Sequence, residues 1–418
     1  MSILIKNVLH NNEIVNVFIN NNKFTKISKG FEAAADIVID GDNKAIMPAF
    51  YNTHNHAAMS ILRGYSDDKN LQDWLTQDIW PIEAKLTPED IYIASRLAIL
   101  EMIKSGTVFF ADMYFFNEPT MQAVKEMGVR AAISFFEMDM FDKNITTQKI
   151  EKTKDFINMP NPCPERIIKG ISCHSVYSVS EELLQYSAKI AKQEDYFMQI
   201  HVAETQKEVS DCLEKCGKTP VAKLKELGLL SPKTILSHAV YLSEQDIIDI
   251  KTSGSYIATN PVSNLKLNSG MFMFDKLYSE MPDKITLGTD GACSNNNLNM
   301  LESMKICSLI AKIQANKPTS GKSENIFSIS TRNGAKAFGL NTGIVKEGAL
   351  ADCILVDLNN PFMTPNYNLI SNLVYSADSS CIKDVICNGK IIMRENHVDN
   401  EKDIIKQAQL LAEKIKKI

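Results

Sequence analysis

Apolar and polar positions change period along the chain, and the changes mark its elements. Up to about residue 45, short alternating runs predict strands at Ile3-Leu4-Ile5, Ile14-Val15-Asn16-Val17-Phe18-Ile19 and Phe24-Thr25-Lys26-Ile27, the last two parted by an Asn-rich turn at Asn20 to Asn22. This segment is too short to enclose a core of its own. A matching set lies at the far end, in Ala351-Asp352-Cys353-Ile354-Leu355-Val356 and Val385-Ile386-Cys387, where Asn388-Gly389 predicts a two-residue hairpin turn before Lys390-Ile391-Ile392-Met393. The two ends are expected to build one small β-sandwich from residues 1–46 and 345–418. A closing helix with an apolar face of Ile404, Ile405, Ala408, Leu411, Ala412 and Ile415 belongs to the second part.

Between the ends, strand-like and helix-like segments alternate, the pattern of parallel strands joined by helical crossovers. The strand candidates are Ile46 to Tyr51, Thr107 to Ala111, Arg130 to Phe135, Gly170 to Cys173, Tyr196 to Ile200, Thr234 to Ser237, Tyr256 to Thr259 and Lys284 to Gly288. Eight such strands predict a (β/α)8 TIM-type barrel over residues 47–344, and an α/β fold class for the whole. One crossover helix is marked at both ends, by Thr87 as N-cap, Pro88, Asp90 three residues after the cap, and Gly106 beyond the last turn.

Composition narrows the class. The chain has 418 residues, 44% hydrophobic and 23% charged, as ordinary globular enzymes have, and its net charge of −5 comes without a dense basic run. Nucleic acid is not an expected partner. The first residues lack a basic, apolar and cleavable leader, and no window approaches a membrane span, so a cytoplasmic protein without membrane association is expected. Nine cysteines scattered singly read as free thiols; the Cys212 and Cys216 pair has a spacing that could hold a metal, but no second thiol pair accompanies it.

Histidine placement changes the picture most. Of seven histidines, His54, His56, His174, His201 and His238 fall at the C-terminal ends of strand candidates, where a barrel builds its active site. His54 and His56 stand two apart and project to one side of a strand, bringing two imidazoles towards one point. With Asp290 in Leu287-Gly288-Thr289-Asp290-Gly291, the residues His54, His56 and His201 can supply the nitrogen and carboxylate ligands of a metal with one position open for water. Glu204 would lie on the opposite face under strict strand alternation. It reaches the pocket only if the strand has ended by then, and it would then be a carboxyl suited to carry a proton.

These stretches, with Gln72-Asp73-Trp74-Leu75, Trp80-Pro81-Ile82-Glu83, Ala111-Asp112-Met113-Tyr114, His201-Val202-Ala203-Glu204-Thr205, Asn260-Pro261-Val262-Ser263-Asn264-Leu265-Lys266-Leu267 and Asp290-Gly291-Ala292-Cys293-Ser294-Asn295-Asn296, resemble the amidohydrolase superfamily. Within it the likeness is to the methylthioadenosine/S-adenosylhomocysteine deaminase group and its chlorohydrolase relatives, over nearly the whole chain. The resemblance implies one divalent metal, usually zinc with iron or manganese as alternatives, held by His54, His56, His201 and Asp290. It implies that His238 hydrogen-bonds the metal-bound water, that Asp290 or His238 takes a proton from it, and that Glu204 protonates a ring nitrogen before ammonia leaves. Two-metal relatives carry a modified lysine on strand four, where this chain has Cys173-His174-Ser175, so one metal is expected and His174 looks like a substrate contact.

By the same resemblance Glu83 binds ribose hydroxyls and Trp74 supplies an apolar wall. Relatives that use S-adenosylhomocysteine carry an arginine after strand three, where this chain places Phe135, which cannot bind a carboxylate bidentately; Lys143 or Lys149 would have to compensate. Thr259 stands where the family commonly has histidine. The expected activity is metal-dependent hydrolytic deamination of an adenosine-type nucleoside: methylthioadenosine, 5′-deoxyadenosine, adenosine or, less favoured, S-adenosylhomocysteine. Alternatives of the same architecture act on a free guanine, pterin or triazine ring and release ammonia or chloride. A two-metal cyclic amidase lacks its lysine here, and a noncatalytic binding protein would not need the full ligand set. Barrels of this group often pair, which makes a homo-oligomer the corresponding expectation.

Overall fold

Two eight-stranded sheets divide the chain in a computed structural model that describes residues 1–417; Ile418, the last residue of the expected C-terminal part, lies outside the described residues. The larger sheet runs in sequence order through Phe50–Asn55, Thr107–Met113, Arg130–Glu137, Ile167–Cys173, Phe197–Val202, Thr234–His238, Tyr256–Thr259 and Ile285–Leu287. Every neighbouring pair is parallel. Strands covered on both faces read as unbroken buried runs, as Thr107–Met113 does at all of its positions. Between the last and first strands the seam is crossed chiefly by side chains. Thr53 Oγ1 donates to Leu287 O at 3.0 Å, and the Asn52 amide accepts from Thr289 N at 3.0 Å while donating to Thr289 Oγ1 at 2.6 Å.

The helix expected after Thr87 spans Pro88–Lys104, and its capping box with Asp90 is formed. The first strand differs from expectation. The run Ile46 to Tyr51 is two strands in two sheets: Lys44–Pro48 pairs antiparallel with Cys353–Asp357, and the chain then enters the barrel at Phe50. Pro48 has no N–H to extend a ladder, and the chain changes sheets beside it. The small sheet therefore continues to Pro48, two residues past the expected boundary at 46. The barrel strand runs to Asn55 and carries His54 within it.

The second sheet interleaves both ends of the chain. Its order is Lys390–Met393, Ile382–Cys387, Cys353–Asp357, Lys44–Pro48, Ser2–His10, Glu13–Asn20 and Lys23–Ser28, with Ile37–Asp40 parallel to Ser2–His10. It is one mixed sheet with a separate core that includes Ile3, Ile5, Val17, Ile19, Ile46 and Leu355. The Asn388-Gly389 turn is present with φ 50 and φ 71, and a Cβ on Gly389 would meet Asn21 O at 1.9 Å, so only glycine fits. The closing helix Glu401–Ile415 packs on Pro88–Lys104, where Lys414 Nζ bridges both oxygens of Asp90 at 2.7 and 2.8 Å. Among the described residues no helix is long and apolar enough to cross a membrane.

Candidate active site

Five side chains from the C-terminal ends of barrel strands meet at one rim. The ring of His54 lies 4.9 Å from those of His56 and His201 and 5.5 Å from that of His238, centroid to centroid. Asp290 Oδ1 stands 3.2 Å from His56 Nε2 and 3.5 Å from His54 Nε2. Ligand atoms of His54, His56 and Asp290 lie within 4.8 Å of one another, as do those of His54, His201 and His238. All five residues are buried.

The imidazoles are oriented from behind. His56 Nδ1 donates to Met113 O at 2.6 Å and His201 Nδ1 to His174 O at 2.9 Å; carbonyl oxygens only accept, so each Nδ1 carries a hydrogen and each Nε2 is turned towards the cluster. His54 Nδ1 pairs with Ser237 Oγ at 2.9 Å, and its buried Nε2 has no hydrogen-bond partner. His238 Nδ1 bonds Asn264 Oδ1 at 2.7 Å. Asp290 Oδ2 accepts from Ser263 Oγ at 2.6 Å and Ser294 Oγ at 3.0 Å, and its Oδ1 accepts from Gly291 N at 2.8 Å.

Lone pairs and a carboxylate pointed at one another in a buried space repel unless positive charge lies between them. The electrostatics follow this need. Burial disfavours a charged His56, yet Asp290 raises its imidazole to about 9, and Asp290 itself is held well below the usual carboxylate range, against its burial, by His54 and His56. Nitrogen and carboxylate donors so arranged fit a divalent metal cation. The backbone is also unusual at this rim: Ala203, His238, Ala239 and Asp290 have φ of 50, 71, 49 and 63°, a left-handed conformation that non-glycine residues adopt at a cost.

That conformation answers the question of Glu204. Its strand ends at Val202, and left-handed Ala203 breaks the alternation and turns Glu204 into the pocket. Glu204 Oε2 lies 3.9 Å from His238 Nε2, and Oε1 accepts from Ser269 Oγ at 3.0 Å. Burial pushes its carboxyl up, with His238 and Ser269 opposing. Gly288 is needed at this rim for space, since a Cβ there would meet Asn260 Oδ1 at 2.4 Å and His54 O at 2.9 Å.

The pocket above the cluster is lined by Trp74, Trp80, Glu83, Phe136, Met138 and His174 among others, and among the described residues no arginine or lysine lines it. Trp74 lies on a π-helical turn, Trp74–Ile79, between short helical pieces Leu71–Asp73 and Trp80–Glu83, and its Nε1 donates to Ser66 O at 3.1 Å. Glu83 is buried, accepts from Tyr114 Oη at 2.6 Å, and is pushed up to about 7 by burial. His174 Nδ1 bonds Ser178 Oγ at 2.7 Å, while burial lowers its ring to about 3. Its backbone carbonyl is also the acceptor that orients His201.

Phe135 is the exception among the expected site residues. Its ring packs outside the barrel, 5.6 Å from that of Phe156 and 5.5 Å from Lys149 Nζ, and lines a separate outer groove. Strand alternation turns its neighbour Phe136 inward instead, with its ring 6.1 Å from that of His174. Ser237, Asn264, Ser263, Ser269, Ser294 and Tyr114 support the site without having been singled out. Asn264, Ser263, Ser294 and Tyr114 stand inside the stretches that carry the family resemblance, but hydroxyl and amide side chains carry no signal until a partner is known.

The profile of the Amidohydrolase family matches residues 45–392. A 5-methylthioadenosine/S-adenosylhomocysteine deaminase of Archaeoglobus fulgidus is 41% identical over 99% of this chain and 99% of its own length. A 5′-deoxyadenosine deaminase of Methanosphaera stadtmanae is 40% identical over 96% of this chain and 95% of its own. Among solved structures, an adenosine deaminase of Xanthomonas campestris with bound zinc superposes with a TM-score of 0.92 at 27% identity, covering 100% of this chain and 98% of that one.

Proposed function

Since the chain belongs to the amidohydrolase family, we propose that it is a divalent-metal aminohydrolase that deaminates an adenosine-type nucleoside to its inosine analogue and ammonia. The observation that carries this reading is one pocket in which two buried carboxyls, Glu204 and Glu83, accompany the histidine and aspartate cluster. One carboxyl serves the reacting ring and the other the sugar. His54, His56, His201 and Asp290 would hold a single cation, for which zinc is supported by the zinc-bound relative. When bound, the cation supplies the Lewis acidity that makes water a nucleophile near neutral pH.

The side chains then divide the proton work. His238, whose Nδ1–H is engaged by Asn264, keeps an Nε2 lone pair and takes a proton from the attacking water, with Asp290 as its neighbour at 4.0 Å. Glu204 gives a proton to the ring nitrogen beside the carbon under attack. The exocyclic amine takes the proton that His238 received from the water, its bond to carbon breaks and ammonia leaves, and the proton of the added hydroxyl returns to Glu204 as the carbonyl forms. Glu83 accepts from ribose hydroxyls, and Trp74 and Trp80 form apolar walls.

Substrate length follows from the lining. A 5′ methylthio or deoxy group suits an apolar wall such as that of Phe136 and Met138, where an amino-acid carboxylate would have no cationic partner among the residues lining the pocket. Tailless nucleosides are therefore the preferred class. The nine free cysteines, eight of them buried, support a reducing cytoplasmic location.

Ammonia release by zinc-loaded protein tests the reading, with methylthioadenosine, 5′-deoxyadenosine, adenosine, S-adenosylhomocysteine, adenine and guanine as substrates and His54→Ala as the blank. Fast release from tailless nucleosides is expected. Release from free bases alone would overturn it.

A further inference from the structure

Glu204 is held from two directions, by Glu208 on one side and by Ser269 on the other. The backbone N–H groups of Ala203 and Glu204 donate to the two carboxylate oxygens of Glu208, at 3.0 and 2.8 Å. The helix Gln206–Cys216 brings that carboxylate there. Thr205 caps it, accepting from Glu208 N at 3.1 Å, and Glu208 occupies the third helical position, from which a capping-box side chain reaches back to the cap residue's own N–H. In this chain it reaches further, to the turn that aims Glu204.

From the other side Ser269 Oγ donates to Glu204 Oε1 at 3.0 Å. Ser269 N is bonded to Asn264 O at 2.8 Å, and Asn264 is the residue whose side chain engages His238. Ser269, Glu204 and Glu208 are 2, 5 and 5% exposed, so water does not compete freely for these bonds.

We propose that Glu208 and Ser269 are positioning residues of the deamination, acting through Glu204. Glu208 locks the left-handed turn at Ala203, so that Glu204 leaves strand alternation and enters the pocket. Ser269 occupies Oε1, which leaves Oε2, the oxygen nearer His238, to carry the proton to the ring nitrogen. The inference rests on Glu204 being the proton carrier.

Substitution separates the contributions. A glutamine at 208 has one acceptor oxygen for two N–H donors and turns its own amide N–H towards the other. Ser269→Ala removes the hydroxyl, and Ser269→Thr restores it.

The test is steady-state kinetics of the metal-loaded variants Glu208→Gln, Ser269→Ala, Ser269→Thr, Glu204→Gln and the double variant Glu204→Gln/Glu208→Gln. Metal stoichiometry and equilibrium nucleoside binding are measured on each. Glu208→Gln and Ser269→Ala should lower kcat by about 10- to 100-fold, the scale of a misplaced catalytic group, with metal content and nucleoside affinity within about twofold of the parent. Ser269→Thr should recover most of the loss, and the double variant should be no slower than Glu204→Gln alone, because residues acting through one group are not additive. Parental kcat in both Glu208→Gln and Ser269→Ala, or full additivity in the double variant, would overturn the inference while leaving the deaminase reading intact. Parental kcat in Glu204→Gln would instead remove the role of Glu204 and this inference with it. If Glu208→Gln fails to fold, the two Ser269 variants decide the matter.

Discussion

At the scale of single residues, environment sets what each carboxyl and imidazole can do. Glu204 and Glu83 are the same residue type in one pocket, and their partners separate them. Glu83 accepts a phenolic hydroxyl, while Glu204 faces His238. Glutamine at 204 keeps the shape and removes the proton, so Glu204→Gln should retain the metal and lose at least about a hundredfold in kcat, the scale of general acid catalysis; turnover and metal analysis of one preparation check this. Glu83, raised to about 7 by burial, is protonated below that pH and ionised above it. Only the ionised form accepts from both ribose hydroxyls. KM for a nucleoside should therefore rise as pH falls through about 7, and Glu83→Gln should carry a high KM that no longer changes across that interval, as KM measured from pH 5.5 to 8.5 would report.

At the scale of elements, the segment that carries Trp74 and Glu83 shares a buried cluster with an element from the far end of the chain. Leu411 and Ile415 of the closing helix belong to the same buried cluster as Trp74, Leu75, Ile79, Ile82, Leu86 and Ile91. That π-helical segment has few backbone bonds beyond its own turns, so packing from behind decides where its side chains point. Leu411→Ala should cost about 2–5 kcal/mol, as buried leucine truncations do, read by urea unfolding. It should also raise KM for nucleoside more than it lowers kcat, because the cluster it loosens includes Trp74 of the pocket wall, whereas His54, His201 and His238 stand on barrel strands.

At the scale of the whole molecule, the barrel and the small sheet are joined by a buried ionic contact. Arg130, which begins the third barrel strand, bonds Asp352 Oδ2 through Nε at 2.8 Å, and Tyr51 Oη donates to the same oxygen at 2.6 Å. Asn388 N donates to Asp352 Oδ1 at 2.6 Å. Arg130 is 1% exposed and Asp352 0%, so removing the acid strands a guanidinium in the interior. Asp352→Ala should destabilise by about 3–5 kcal/mol, more than the loss of an exposed pair, and a thermal or denaturant midpoint will show it. Activity at low temperature should survive, since the contact lies among the residues that couple the two sheets and not in the pocket.

Much of this was legible in the residues themselves. Period-two and period-3.6 patterning set the strands and helices, the Thr87 box and the Asn388-Gly389 turn act over three or four residues, and histidines at strand ends marked the rim. Local chemistry determines such features because the atoms that decide them are close in sequence. Long-range contacts decided the rest. The split of Ile46–Tyr51 into two strands depends on pairing with Cys353–Asp357, more than 300 residues away, and an apolar run cannot announce which sheet will claim it. The inward turn of Glu204 depends on a left-handed Ala203 held by Glu208. The exchange of Phe135 for Phe136 depends on strand register, where a shift of one residue moves a side chain to the other face. The sequence by itself determined which residue types were present for metal and proton chemistry. The tertiary structure decided which of them face one another, because that is settled by packing and hydrogen bonds between segments the chain does not place side by side.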